Sequence, residues 1–350
     1  MVVDSRKIQP GKGICLSCGR FDKIDESCVC FWCHNKGRQS SSNIAAKQRH
    51  IDPFTASGVP RYITLEKLQT DIRSLVPKIP SDITAVVGVA RSGMNVATVM
   101  SMLLHKPLYA IRQTDNDVIC VGNGWRLGGA KRQQVPRGKV VIIDDTVMTG
   151  NSLRAIDHII KANFDEAITA AVYVNPFATK KPDIHSAFLN WPHLLEWNLF
   201  NSVLSPNVAC DFDGILCEDC KPGQDDDGER YRDFILNARP LYTPRRVPIP
   251  MVVTARIEKY RKETQVWLNR HGIIVHKLIM FPANTLKERQ RQDIAEWKAK
   301  TFARWNNLHK PVPPPNLFIE SDNAQAKRIS ELSGLMTICP ASGKVYCHGQ

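Results

Sequence analysis

The sequence predicts an α/β protein, two parallel-sheet α/β domains preceded by a small cysteine-rich segment. Three observations carry that reading. The chain has 350 residues, enough for two domains on length alone. Apolar strand-like runs alternate with helical patterns twice along it, which is how a parallel sheet is written in sequence. Five of the eleven cysteines crowd between Cys15 and Cys33, ahead of the first periodic pattern.

Composition narrows the partners. Apolar residues make up 43% and the formal net charge is +13. That balance suits a pocket for polyanionic phosphates, and it also permits nucleic acid, which is not the favoured partner because no nucleic-acid fold signature follows. No run of about 18 apolar residues is present, so no membrane span is expected. The N-terminus MVVDSRKIQPGKGIC lacks the apolar core of a signal peptide, and a reducing, cytoplasmic location is expected.

The elements fall in order. Residues 1–36 are the Cys-rich segment, and the polar stretch over 37–59 reads as a linker. In a domain over 60–202, TAVVGVA (84–90), KPLYAIR (106–112), KVVIIDD (139–145) and EAITAAVYVN (166–175) read as strands. Between them, 92–104 and 150–162 read as helices. In a second domain over 203–350, NVACD (207–211), PIPMVVT (248–254), IIVHKLIMF (273–281) and NLFIES (316–321) are strands. Residues 255–272 and 286–305 are read as helices, and the acidic run Asp225-Asp226-Asp227 as a solvated turn.

The most informative string is VVIIDDTVMTGNS, 140–152. A strand delivers two acids to the carboxyl edge of a sheet, where open α/β folds bind ligands. The following Thr/Gly loop opens a helix, and backbone N–H groups there favour a phosphate. Adjacent carboxylates suit the two hydroxyls of a ribose. A Walker-type loop would end in Gly-Lys-Ser/Thr, and this one does not.

The string resembles the phosphoribosyl pyrophosphate (PRPP) motif of type I phosphoribosyltransferases. The resemblance implies that Asp144 and Asp145 hold the ribose 2′ and 3′ hydroxyls. Thr146, Val147, Met148, Thr149, Gly150, Asn151 and Ser152 would cradle the 5-phosphate. Arg91-Ser92-Gly93 resembles the family's short loop for the leaving diphosphate, with Mg²⁺ bridging. The Gly-rich basic stretch before Lys139 resembles a mobile closing loop, with Lys131 and Arg132 as candidate contacts. Residues 182–202 resemble the hood of purine-type members. There Trp191 or Trp197 would stack on a base, or else fill core. PRPP and a nucleobase or nucleotide are the implied partners, and a homodimer is left open.

The second domain carries Asp211-Phe212-Asp213-Gly214 after an apolar strand. This resembles motif I of haloacid-dehalogenase-like (HAD) phosphohydrolases, a Rossmannoid fold. The resemblance implies that Asp211 attacks phosphorus, while Asp213 protonates the leaving oxygen and then activates water. Thr254 resembles motif II. Lys298, with Lys287 and Lys300 as rivals, resembles motif III. Glu320 and Asp322 resemble the acidic motif IV, and which of them completes the Mg²⁺ site of Asp211 and Asp213 is left open. The connections between these motifs are too short for a large cap domain.

The resemblances together imply a bifunctional enzyme: phosphoribosyl transfer to or from a nucleobase-like acceptor, and phosphomonoester hydrolysis, on the nucleotide product among others. The competing reading is a nucleotide-sensing or nucleic-acid-associated regulator that keeps the first fold as a binding module.

Cys15-x2-Cys18 and Cys30-x2-Cys33 have the spacing of a zinc-ribbon-like, tetrahedral Zn²⁺ site, with Cys28 and His34 as alternative ligands. Freshly purified protein should therefore contain about one Zn²⁺ per chain by metal analysis, and Cys18→Ser should lose it. Zinc-free wild type would refute the site.

Overall fold

The computed structural model describes residues 60–114, 116–123, 135–202, 204–244, 247–308 and 316–347, with 12–14 and 21–23. The four zinc candidates Cys15, Cys18, Cys30 and Cys33, together with Lys131 and Arg132, lie outside the described residues. Strands β1 (Lys12–Ile14) and β2 (Phe21–Lys23) pair antiparallel. Contact clustering separates Ile63–His193 from a second unit made of the remaining residues on either side.

β3 (Arg61–Ile63) leads to the Ile63–His193 unit, whose first helix is α1 (Leu65–Leu75). Thr64 caps α1: its Oγ1 accepts from the Lys67 amide at 3.0 Å. There follow β4 (Ala85–Val89), α2 (Gly93–Leu104), β5 (Leu108–Arg112), β6 (Asp117–Gly122), β7 (Lys139–Val147), α3 (Asn151–Asn163), β8 (Glu166–Val174) and β9 (Ile184–Phe188). The sheet order is β6-β5-β4-β7-β8-β9. All pairings are parallel except β5 with β6. Val140 through Ile143 are wholly buried, as expected for a central strand covered on both faces. α3 turns Leu153, Ile156 and Ile159 onto the sheet, where they meet Val140, Ile142 and Val174.

β10 (His193–Leu195) leads on to β11 (Val208–Cys210), α4 (Glu229–Asn237), β12 (Ile249–Ile257) and α5 (Arg261–Arg270). Then come β13 (Val275–Phe281), α6 (Leu286–Gln290), α7 (Ile294–Leu308), β14 (Leu317–Ile319), α8 (Asn323–Ser333), β15 (Met336–Cys339) and β16 (Lys344–Tyr346). The second six-stranded sheet has the order β13-β12-β11-β14-β15-β16 and is parallel up to its antiparallel β15–β16 edge. Both sheets are thus α/β and mostly parallel, as expected. No described helix is long and apolar enough to cross a membrane.

Three local expectations are corrected. The helix expected from residue 255 begins only at Arg261, because β12 runs on to Ile257. The helix expected over 286–305 is two helices. Asp293 breaks it by capping α7, its Oδ1 accepting from the Glu296 amide at 3.0 Å. The acidic run is no solvated turn. Asp225 pairs with Arg289 at 2.7 Å, and Asp226 Oδ1 accepts the Gly228 and Tyr231 amides. Asp227 binds Lys259, Tyr260 and the Leu286 amide. Each carboxylate satisfies backbone or cationic donors that the connection would otherwise leave bare.

α3 has no side-chain cap, so its docking rests on the three apolar residues. Ile156→Ala should cost about 2–5 kcal/mol, read as a lowered denaturant midpoint with an unchanged slope.

Candidate functional site

In the first sheet the chain leaves β4 toward β5 on one side, while β7 leads to β8 on the other. The reversal opens a crevice outside the carboxyl ends of β4 and β7, the position where open α/β sheets bind ligands. The loop after β4 is Arg91-Ser92-Gly93, and the loop after β7 is Met148–Gly150. The structure brings them together. A Cβ on Gly93 would lie 2.7 Å from the Ile143 carbonyl oxygen and 3.0 Å from Asp144 Oδ1, so only glycine lets the first loop approach the acidic strand.

Asp144 and Asp145 are buried at the end of β7. Asp144 Oδ1 accepts the Asp145 amide at 2.9 Å, and Oδ2 accepts the Ser152 hydroxyl at 3.3 Å. Burial first, and then the neighbouring Asp145 charge, push Asp144 well above the ordinary carboxylate range.

β7 continues through Thr146 and Val147, so the loop is shorter than the sequence suggested. Val147 turns its side chain into the core, while Thr146 Oγ1 is buried without a hydrogen bond. Gly150 has φ 86°, and a Cβ there would sit 2.3 Å from the Lys180 carbonyl oxygen. The Thr149 carbonyl oxygen accepts from the Thr179 amide and hydroxyl. Arg154 ties Thr179 to Asn151. The loop is thereby braced on the 175–181 segment, with the amides at the start of α3 facing outward from the fold of the loop.

Trp191 falls in the Ile63–His193 unit and Trp197 in the other. The Trp191 indole N–H is buried with no partner, and its ring meets His193 edge-on at 5.5 Å. His193 is a residue the sequence reading passed over.

In the second sheet the same reversal falls between β11 and β14. Asp211 follows β11 and Glu320 follows β14. Lys298, buried on α7, donates to Asp211 Oδ2 and Glu320 Oε2, both at 2.6 Å, and to Gln325 Oε1 at 3.3 Å. Its rivals Lys287 and Lys300 are exposed. Burial opposes the charged form of Lys298, but Asp211 and Glu320 outweigh it and hold the pKa above the usual lysine value. Asp322 caps α8 through Oδ1, which accepts the Gln325 amide at 2.7 Å. Glu320 is the fully buried member of that pair.

Thr254 is wholly buried within β12 rather than at its end, beside a register shift against β13. Arg256 is a further residue missed in the sequence. It is fully buried and grips Asp213, Nη2 to Oδ1 at 2.6 Å and Nε to Oδ2 at 3.0 Å, with its guanidinium 4.0 Å from the Phe212 ring centre. Cys217, expected to be an unengaged thiol, lies 3.3 Å from Arg256 Nη2 and 3.4 Å from Asp213 Oδ1.

The all-oxygen donor set of Asp211, Asp213, Glu320 and Asp322 has the chemistry that Mg²⁺ prefers. Burial, with Glu320 and Asp213 adding to it against Lys298, pushes Asp211 above the ordinary carboxylate range, a repulsion that a bound cation would relieve. Among the described residues, however, no three His, Cys, Asp or Glu side chains are already gathered as a metal cluster.

Lys298→Met would leave two buried carboxylates without their shared cation. It should destabilise by about 3–5 kcal/mol, measured by chemical denaturation, whereas Lys300→Met should be near neutral.

Comparisons with known proteins bear on the first sheet. Residues 64–208 match the family described as phosphoribosyl transferase domain. A purine phosphoribosyltransferase from Pyrococcus horikoshii is similar at 20% identity, over 39% of this chain and 92% of that one, with a TM-score of 0.30. A xanthine-guanine-hypoxanthine phosphoribosyltransferase from Helicobacter pylori is similar at 17% identity, over 40% and 93%, with a TM-score of 0.31. An orotate phosphoribosyltransferase from Aeropyrum pernix is similar at 19% identity, over 35% and 71%, with a TM-score of 0.28. No curated protein matches the chain. A strand that ends in two buried acids, a short glycine loop pressed against it and the family match over the same residues lead to one conclusion: residues 64–208 are a phosphoribosyltransferase domain.

Proposed function

We propose that the chain is a bifunctional enzyme that transfers a phosphoribosyl group between PRPP and a purine or pyrimidine base, and that hydrolyses a phosphomonoester at a separate aspartate. The observation that carries the first activity is the approach of Gly93 to Asp144, which joins the two loops into one crevice. Asp144 and Asp145 would hold the ribose hydroxyls, and Met148 through Ser152 the 5-phosphate. Arg91 and the adjacent amides would meet the diphosphate, with Lys131 and Arg132 closing over it. In the transfer, the bond from ribose C1 to the diphosphate oxygen breaks with its electron pair leaving on diphosphate, and a C1–N bond forms. The acids position the ribose and offset charge at C1, which becomes cationic in passing. Mg²⁺, when bound, would neutralise the diphosphate.

The second activity is supported by the Lys298 bridge between Asp211 and Glu320. A lysine so placed would stabilise charge on an aspartyl phosphate formed at Asp211. Asp213, held by Arg256, is oriented to give and take the proton. Thr254 would contact the phosphate. Asp211 and Asp213, with Glu320 rather than the cap residue Asp322, would hold Mg²⁺, which offsets the repulsion between carboxylate and phosphate. The four N-terminal cysteines would hold a structural Zn²⁺.

The two sites should separate by mutation. Asp145→Asn should lower phosphoribosyl transfer on the order of 10²–10³-fold and leave hydrolysis of p-nitrophenyl phosphate intact. Asp211→Asn should abolish the hydrolysis and spare the transfer. If either change in a folded chain removed both activities, the two-site reading would fail.

A further inference from the structure

His193 carries an inference that rests on the phosphoribosyl-transfer reading and adds a catalytic group to it. The imidazole is 6% exposed. Its Nδ1 lies 3.1 Å from the Asn190 carbonyl oxygen. A carbonyl only accepts, so Nδ1 holds the proton and Nε2 of the neutral ring is left as an acceptor. No hydrogen bond engages Nε2 among the described residues, and Nε2 is not sealed from solvent. The ring plane is fixed by the edge-on Trp191 indole, at an interplanar angle of 79°.

Two further facts separate His193 from a histidine that merely fills core. Asp145, one of the two candidate ribose acids, is near enough to favour the ring's cationic form. Burial, the larger influence, outweighs this and lowers the pKa, so the resting ring is neutral at neutral pH. A neutral acceptor with a carboxylate waiting to stabilise its cation is the arrangement a general base requires. The same short segment carries the Trp191 N–H, buried and without a partner, an uncommitted donor beside an uncommitted acceptor.

We propose that His193 Nε2 takes the ring N–H proton of the incoming base as its nitrogen attacks ribose C1. The nitrogen lone pair forms the C1–N bond, and the C1–O bond breaks with its pair going to diphosphate. The base proton passes to Nε2, giving an imidazolium beside Asp145, and is later released to water. The ligand class this requires is a heterocycle with an ionisable ring N–H.

The test uses the full chain with PRPP, Mg²⁺ and, separately, hypoxanthine, guanine, adenine, uracil and orotate. Wild type, His193→Phe and His193→Gln are compared, with PRPP binding and thermal melting as controls for folding. Glutamine keeps an acceptor oxygen but cannot take up the proton. Both variants should lose about 10²–10⁴-fold in kcat, while KM for PRPP changes less than twofold. A second readout distinguishes chemistry from packing. With base analogues of increasing N–H acidity, the deficit of either variant should shrink, because an already ionised base needs no acceptor. Full kcat in both folded variants would overturn the role of His193 and leave the transfer reading standing, as would an equal deficit for acidic and ordinary bases. If His193→Phe does not fold, His193→Gln decides alone. A wild type that binds PRPP yet transfers to none of these bases would overturn the transfer reading itself, and His193 would fall with it.

Discussion

In each sheet the chain departs from one strand to one side and, from its new neighbour, to the other. That reversal leaves a gap outside the carboxyl ends of two adjacent parallel strands, and no crossover helix can cover it. Asp144 and Asp145 stand at the β7 side of one such gap, with Arg91–Gly93 at its β4 side. Asp211 and Glu320 stand on the two sides of the other. The acids are where they are because parallel topology puts strand ends and helix starts at one edge, and because each reversal opens that edge. Much else in the molecule follows from having to bury carboxylates there.

The two halves handle that burden differently. Around Asp211 the protein supplies its own cations: Lys298 lies between Asp211 and Glu320, and Arg256 grips Asp213. Such pairs are costly to desolvate and are retained where orientation matters. Asp144 instead meets a backbone amide and a hydroxyl, and its raised pKa shows a carboxyl poorly suited to carrying charge without a ligand. A polyhydroxylated ligand donating to both acids would be the complement to that state. The first site is thus arranged for a guest to complete, the second for groups already in place.

How much of this was legible in the sequence varies with the kind of residue. The strands ending at Asp144 and near Asp211 were readable because four or more apolar residues in a row, followed by acid, have few other interpretations. Lys298 was readable only as one of three lysines, since burial decides among them and spacing on a helix does not. Arg256 was hidden: a fully buried arginine is rare, and its stretch looked helical because polar residues follow it. The acidic run misled for the opposite reason. Charge normally signals solvent, and nothing local reveals that Arg289, Lys259 and a helix start lie within reach. His193 gave no signal, because what sets it apart is the carbonyl it bonds and the acid beside it. The antiparallel edges β6 and β16 were missed as well, being short and half exposed.

The cap at Asp293 has an effect that extends beyond ending one helix and starting another. Its second carboxylate oxygen receives Arg328 from α8 at 2.8 Å, so the start of α7 is pinned both along its axis and against its neighbour. Lys298 lies five positions into the chain from that pin, and each α-helical residue adds about 100° of rotation. The phase of the lysine relative to Asp211 is therefore set at the helix mouth, at a surface residue remote from the acids. Inserting or deleting a single residue before Lys298 would swing the ammonium about a quarter-turn around the helix, away from the carboxylates it joins. The kink that breaks one long charged helix into two acts as the clocking mark for the buried charge beyond it.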